Sequence, residues 1–319
     1  MKTLKTMEWL VKREFWEYKG MFLWAPVRLG LLMIVLLLGI MIYSGGRDMN
    51  FHFHDFHDAP QLVEHKAEVV TAIANNYIAA SIPIFMMLSA LVFFYCLGAM
   101  FEERRDRSIL FWKSLPVSDT ATVMSKVTLA LVVAPLISIA VGIVTSFVML
   151  MIVSIVMAFQ GMNFLGALFS NGDFYLTPLR LIGMWPVYVL WAIPTVGWLL
   201  MVSAWARSKV FLWAVGMPVL ALIIVKMADY VFKLNINMDW VSHNIFTRVL
   251  GGLFPGIWLT SKDATRIVNM SQFQHGSDMG VTFTNAWMSL TDVGMWGGVV
   301  AGVLMIFAAI KLRRWRDES

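Results

Sequence analysis

The side chains with the most chemistry in this sequence are gathered between residues 102 and 119. Glu102, Glu103, Arg104, Arg105, Asp106 and Arg107 set three acids against three bases, so the run compensates much of its own charge. Ile109, Leu110, Phe111, Trp112 and Leu115 follow at once, and then Pro116, Val117, Ser118 and Asp119. A plain connecting loop needs no Trp and Phe beside its charged run; a segment that docks onto another protein does. The apolar residues predict a short helix that Pro116 breaks, with Ser118 as N-cap and Asp119 in the first turn of the next helix. The competing reading is a solvated loop that only terminates a span.

A second group combines His52, His54 and His57 with Phe51, Phe53 and Phe56, and Asp55, Asp58, Glu64 and His65 lie close by. His52 and His54 would share one face of a strand, His54 and His57 one face of a helix. Imidazole with carboxylate suits zinc or another transition metal. The three interleaved phenylalanines favour a packed or membrane-skimming loop instead. Catalytic chemistry has no carrier: the sequence holds no Gly-rich loop ending in Gly-Lys-Ser/Thr, no His-Glu-x-x-His and no Gly-x-Ser-x-Gly. No catalytic residue and no cofactor bound by this chain is expected. The single cysteine, Cys96, has no partner for an intramolecular disulfide.

The elements that position these groups follow from composition. The chain is 59% hydrophobic and 14% charged, with mean hydropathy +0.71, against about 25% charged in a soluble domain. Apolar runs near 24–44, 78–101, 127–151, 182–204, 210–228 and 292–311 are each about the length that crosses a bilayer. The expectation is an all-α integral membrane protein with six transmembrane helices, a single domain over residues 1–319. Residues 1–21 read as an amphipathic interfacial helix. Leu4, Met7, Val11, Phe15 and Tyr18 recur at helical spacing, and Lys5, Lys12, Arg13 and Lys19 suit an anionic membrane lipid surface.

Sixteen Lys and Arg residues fall in the N-terminal segment, the 102–126 and 205–209 connections and the C-terminal tail, against seven in the other connections. The positive-inside rule then makes both termini and the 102–122 segment cytoplasmic in a cell inner (plasma) membrane. The net charge of +5 reports that orientation; nucleic acid is not an expected partner. Residues 45–77 and 229–291 become the external regions. Within the second, the apolar run 249–259 is broken by three glycines and a proline, which suits a re-entrant or interfacial element. Span interiors carry almost no charge: Arg28 is placed to snorkel, and Lys226 and Asp229 stand near the external end of the fifth span. That argues against a proton-coupled carrier. Gly294, Gly298 and Gly302 stand four apart in the last span, a spacing for tight helix packing within the chain or, alternatively, across a subunit interface.

The run from Glu102 to Ser108 and the turn Leu115-Pro116-Val117-Ser118, together with this topology, resemble the membrane subunit of an ATP-binding-cassette exporter of the type-2 permease superfamily. The resemblance extends over essentially the whole chain; the His/Phe-rich loop departs from it. It implies that 102–122 is a cytoplasmic coupling segment seated on a separate ATP-binding-cassette ATPase, with Glu102, Glu103, Arg104, Arg105, Asp106, Arg107, Phe111, Trp112, Leu115 and Pro116 as its contact residues. It further implies ATP and Mg on that partner, two permease copies with two ATPases, and a substrate path lined from the second and fifth spans by candidates such as Phe93, Phe94, Met100, Trp213 and Met217. The competing class is a non-transport membrane anchor or sensor with a His-rich external loop that recruits a cytosolic partner.

Overall fold

In lipid every backbone N–H and C=O must be bonded inside its own segment, so long apolar runs become helices. The computed structural model describes residues 2–44, 66–106, 117–159, 164–235, 237–257 and 279–315. Six helices among them are long and apolar enough to cross a membrane: Gly20–Tyr43, Glu68–Arg105, Asp119–Phe159, Gly172–Trp205, Val210–Phe232 and Val293–Trp315. The chain is a multi-pass membrane protein. Their order matches the apolar runs, but the second, third and fourth extend well beyond them. The third has 41 residues, roughly twice what the hydrocarbon core requires. Its extra turns lie at both ends: 119–126, which the hydropathy pattern assigns to a connection, and 152–159, which continue the apolar run.

The helices are α1 (Lys2–Glu17), α2 (Ala25–Ser44), α3 (Lys66–Asn76), α4 (Ile82–Gly98), α5 (Phe101–Arg105), α6 (Asp119–Thr128) and α7 (Ala134–Phe159). They continue as α8 (Leu165–Ser170), α9 (Gly172–Gly183), α10 (Trp185–Trp205), α11 (Val210–Phe232), α12 (Met238–Asn244), α13 (Met279–Met288) and α14 (Val293–Trp315). Wide π turns join α1 to α2 and α6 to α7, and another follows α12 at Ile245–Leu250. One end of the bundle gathers α1, α5, α6 and the last turns of α14; the other gathers α3, α8, α9, α12 and α13.

The fourth span is the centre. It is 72% buried, whereas the first, fifth and sixth are 17–22% buried. It meets α14 at backbone distance. A Cβ on Gly197 would collide with the carbonyl of Gly302, and a Cβ on Gly302 would lie 2.7 Å from the Pro194 backbone. Small residues are required there because packing, not hydrophobicity, drives helix association in lipid.

The fourth span also repairs its neighbours. Pro135 in α7 and Pro218 in α11 each remove the N–H that would bond the carbonyl four residues earlier. Those carbonyls belong to Leu131 and Ala214. The Trp185 indole donates to Leu131 O at 3.1 Å, and the Trp198 indole donates to Ala214 O at 2.9 Å. Both tryptophans stand on α10, so one helix supplies the donors that two prolines take away. Trp198→Phe is expected to cost about 1–3 kcal/mol, the penalty for an orphaned buried carbonyl. In a Pro218→Ala background the restored N–H takes that carbonyl, and the cost should shrink. Unfolding of the four proteins in mild detergent reads the difference; equal costs in both backgrounds would refute this role for the indole.

Candidate functional site: a buried ion chain at the root of the 102–119 segment

α1 lays Leu10, Glu14 and Tyr18 against the bundle. Leu10 and Glu14 are buried and Tyr18 half-buried. Glu14 is 0% exposed, and a carboxylate in that position needs charged and hydrogen-bonding partners. Its Oε1 lies 3.0 Å from Lys126 Nζ on α6 and 2.6 Å from Arg13 Nη2, and its Oε2 accepts from the Tyr95 hydroxyl of α4 at 3.1 Å. Lys126, 2% exposed, turns equally to Glu103 Oε1 of α5 at 2.9 Å. The other Glu103 oxygen binds Arg313 Nη1 in the last turns of α14 at 2.7 Å, and Arg313 Nε reaches Asp119 Oδ1 at 3.2 Å.

The order Arg13, Glu14, Lys126, Glu103, Arg313, Asp119 alternates in sign from end to end. Each inner member is held from both sides, so no inner charge is stranded and the set is neutral. Local sequence prepares the ends. Ser118 caps α6 by accepting from Ala121 N at 3.2 Å, and Asp119 sits at the positive end of that helix, while Arg313 sits at the negative end of α14.

Arg104 acts on the fourth span. Its guanidinium donates to the carbonyls of Ser203, Ala204 and Ala206, the last at 3.0 Å. Carbonyls at a helix C-terminus lack intrahelical donors, and here a side chain from another span supplies them. Ser203 Oγ returns the contact by accepting from Met100 N and Phe101 N, both at 3.1 Å. Two adjacent residues, Glu103 and Arg104, thereby join the third, sixth and fourth spans to the end of the second.

The residues of the sequence-derived docking segment therefore divide. Glu103 and Arg104 turn inward. Glu102, Arg105 and Asp106 are exposed, and the Arg105–Asp106 pair at 3.4 Å is a surface contact of little energy. Arg107, Phe111, Trp112, Leu115 and Pro116 lie outside the described residues, as do His52, His54 and His57. Of the path candidates, Met100 is buried and Phe94 exposed.

A second charged group occupies the opposite end. Arg248, 7% exposed, follows α12 in the π turn and wedges between α10 and α14. It pairs with Asp292 Oδ2 at 3.2 Å, donates to the Gly294 carbonyl, and lies 4.9 Å from the Trp191 ring centre. Its guanidinium fills the space a Cβ on Gly298 would need. Thr195 Oγ1 donates to the Arg248 carbonyl at 2.8 Å and accepts from Gly252 N at 3.1 Å, while Ser89 Oγ donates to Leu253 O at 2.7 Å. Gly298 and Gly302 thus face partners within the chain.

Sequence reasoning passed over Glu14, Lys126, Arg248 and Arg313 as site residues. Glu14 did carry a signal: it stands seven residues after Met7 and four before Tyr18, inside the apolar stripe. No family model, curated protein or solved structure matches the chain.

Lys126→Met is expected to cost about 3–5 kcal/mol, because two buried carboxylates lose their shared cation. Adding Glu14→Gln should recover part of that loss in detergent unfolding; purely additive costs would refute the shared-cation arrangement. Glu17 behaves oppositely. Its partly covered carboxyl is raised above the usual range, first by burial and then by the Glu14 carboxylate. The folded state therefore holds this proton more tightly than the unfolded chain. The favourable contribution is full below about pH 4 and is lost as the pH rises through the folded titration. Glu17→Gln should leave neutral-pH stability unchanged or higher, with a shallower loss between acid and neutral pH.

Proposed function

We propose that this chain is the membrane subunit of an ATP-driven exporter, with ATP binding and hydrolysis on a separate ATPase that docks on the 102–119 segment. The observation that supports the reading most is the bonding at the root of that segment. Glu103 reaches Lys126 and Arg313, and Arg104 reaches the end of α10, so a displacement of α5 would be delivered to three spans at once. A solvated stop-transfer loop has no need of such a root.

The Lys and Arg bias puts this end of the bundle in the cytoplasm, where an ATPase is available. Closure of the ATPase dimer would push on the segment, and the ion chain and the Arg104 contacts would convert the push into a changed tilt of the third, fourth and sixth spans. Energy and substrate path then lie on different chains, two permeases with two ATPases. The exposed Glu102, Arg105 and Asp106 are the described members of the docking surface; Glu103 and Arg104 are positioning residues beneath it.

Purification of the full chain from its native membrane in mild detergent tests the reading. A stoichiometric partner with phosphate-binding loops supports it; a kinase or regulator in that place, or no ATPase at all, overturns it. With the partner in hand, Glu102→Ala combined with Arg105→Ala, both exposed, should keep the unfolding temperature within about a degree or two of the parent, on the scale of a surface substitution, while ATPase co-purification falls. Arg104→Gln should instead keep the partner bound and separate hydrolysis from transport, with Arg104→Lys restoring less than full coupling because a lysine cannot span three carbonyls. Unchanged coupling in Arg104→Gln would exclude Arg104 from transmission.

A further inference from the structure

α1 has two faces of quite different chemistry. At 100° per residue, Lys5, Trp9, Lys12 and Trp16 fall within about 40° of one line along α1, opposite Glu14, and Lys19, just past its end, lies back over Trp16. All five are exposed, Trp9 and Trp16 at 69% and 64%. The stripe is built from a repeat seven residues long: Lys12 Nζ lies 5.3 Å from the Trp9 ring centre, and Lys19 Nζ lies 4.9 Å from that of Trp16. Glu8 borders the stripe and pairs with Lys12 at 2.6 Å, which leaves the face net positive. Arg13 is not part of it, being turned to Glu14.

The stripe differs from the apolar one legible at Met7, Val11, Phe15 and Tyr18, which lies on the other side of the helix. Two large indoles standing in water are unfavourable, and neither is covered by the bundle. Two observations say what covers them. α1 continues through the turn at Gly20–Trp24 into the first span, of which only 17% is buried in the protein. The helix is therefore tethered at the membrane surface, with Trp24 also exposed. Lysine and tryptophan alternating on one face match, in charge and in preferred depth, the boundary between headgroups and acyl chains.

We propose that the Lys5–Trp9–Lys12–Trp16–Lys19 face seats on anionic phospholipid headgroups, with the indoles at the acyl boundary and the ammonium groups on the phosphates. Lipid charge then acts on α1 directly, and through Glu14 on the ion chain behind it. The face is independent of what the 102–119 segment binds.

Because Cys96 is wholly buried, a surface cysteine takes a nitroxide label selectively in the full chain. Labels placed by Trp9→Cys and, separately, Trp16→Cys are compared in bilayers of phosphatidylcholine alone and with phosphatidylglycerol added. The expected result is greater accessibility to oxygen than to a water-soluble nickel chelate at both positions, and a larger immobilised fraction when phosphatidylglycerol is present. Lys5→Gln, Lys12→Gln and Lys19→Gln together should abolish the response to phosphatidylglycerol, at roughly fivefold per lysine in the seated-to-lifted ratio. Nickel accessibility typical of water at both positions in both bilayers would overturn the proposal. So would a phosphatidylglycerol response that survives in the triple variant. Unfolding temperatures of the variants matching the parent exclude misfolding as the cause, since none of these side chains packs in the core.

Discussion

An ion withdrawn from water into a protein interior costs several kcal/mol even after relaxation, and only well-placed counter-charges offset that. Glu14, Lys126 and Arg313 are withdrawn almost completely, Glu103 largely so. A pair would satisfy two of them and leave oxygens and N–H groups unmet. The alternating chain from Arg13 to Asp119 satisfies all four, because each inner group is bonded by neighbours on both sides. Its members come from α1, α5, α6 and α14, so the condition that no buried charge be stranded is also the condition that these four elements lie together.

The same shortage of water governs the backbone. Pro135 and Pro218 free carbonyls that lipid cannot bond, and the indoles of Trp185 and Trp198 take them. The C-terminal carbonyls of α10 are met by Arg104, and the Arg248 and Leu253 carbonyls by Thr195 and Ser89. Four of these five donors stand on α10 or bind its end. That is a physical account of why the fourth span is the most buried: it is the helix to which the others owe their missing donors. Its close approach to α14 at Gly197 and Gly302 then fixes the sixth span, and with it Arg313, in reach of Glu103.

Six apolar runs and their order were legible because the bilayer sets a length and charged residues mark its limits. The spacing of Gly294, Gly298 and Gly302 marked a close approach but left its partner open, within the chain or across an interface; Gly298 faces Arg248 and Gly302 faces Pro194. The ends of the second and fourth spans and the start of the third were not legible: hydropathy sees where lipid stops, while Asp119–Thr128 stays helical beyond that point through its Ser118 cap and its packing on α1. The ion chain was hidden for a different reason. Lys126 and Arg313 look like ordinary flanking cations, and nothing local tells a cation that faces headgroups from one that faces Glu103. Arg248 was counted among external charges, and only the wedge between α10 and α14 makes it a buried one. The pattern of α1 was half legible: its apolar stripe was plain, but which side met the protein depended on Glu14 finding Lys126.

Lys126 is the one cation shared by Glu14 of α1 and Glu103 of α5. If the root of the 102–119 segment moved while α1 stayed, Lys126 would part from one of the two carboxylates, leaving Glu14 with Arg13 and Tyr95 alone or Glu103 with Arg313 alone. Loss of the shared cation at a buried site is costly, so the ion chain resists that separation. Displacement of α1, α5 and α6 as one body is therefore cheaper than any rearrangement among them. Arg104 extends that body to the end of α10 through three carbonyls. On the proposed reading, a force applied at the exposed side of α5 is passed inward by groups that cannot part from one another, and the membrane-facing side of α1 belongs to the same moving unit.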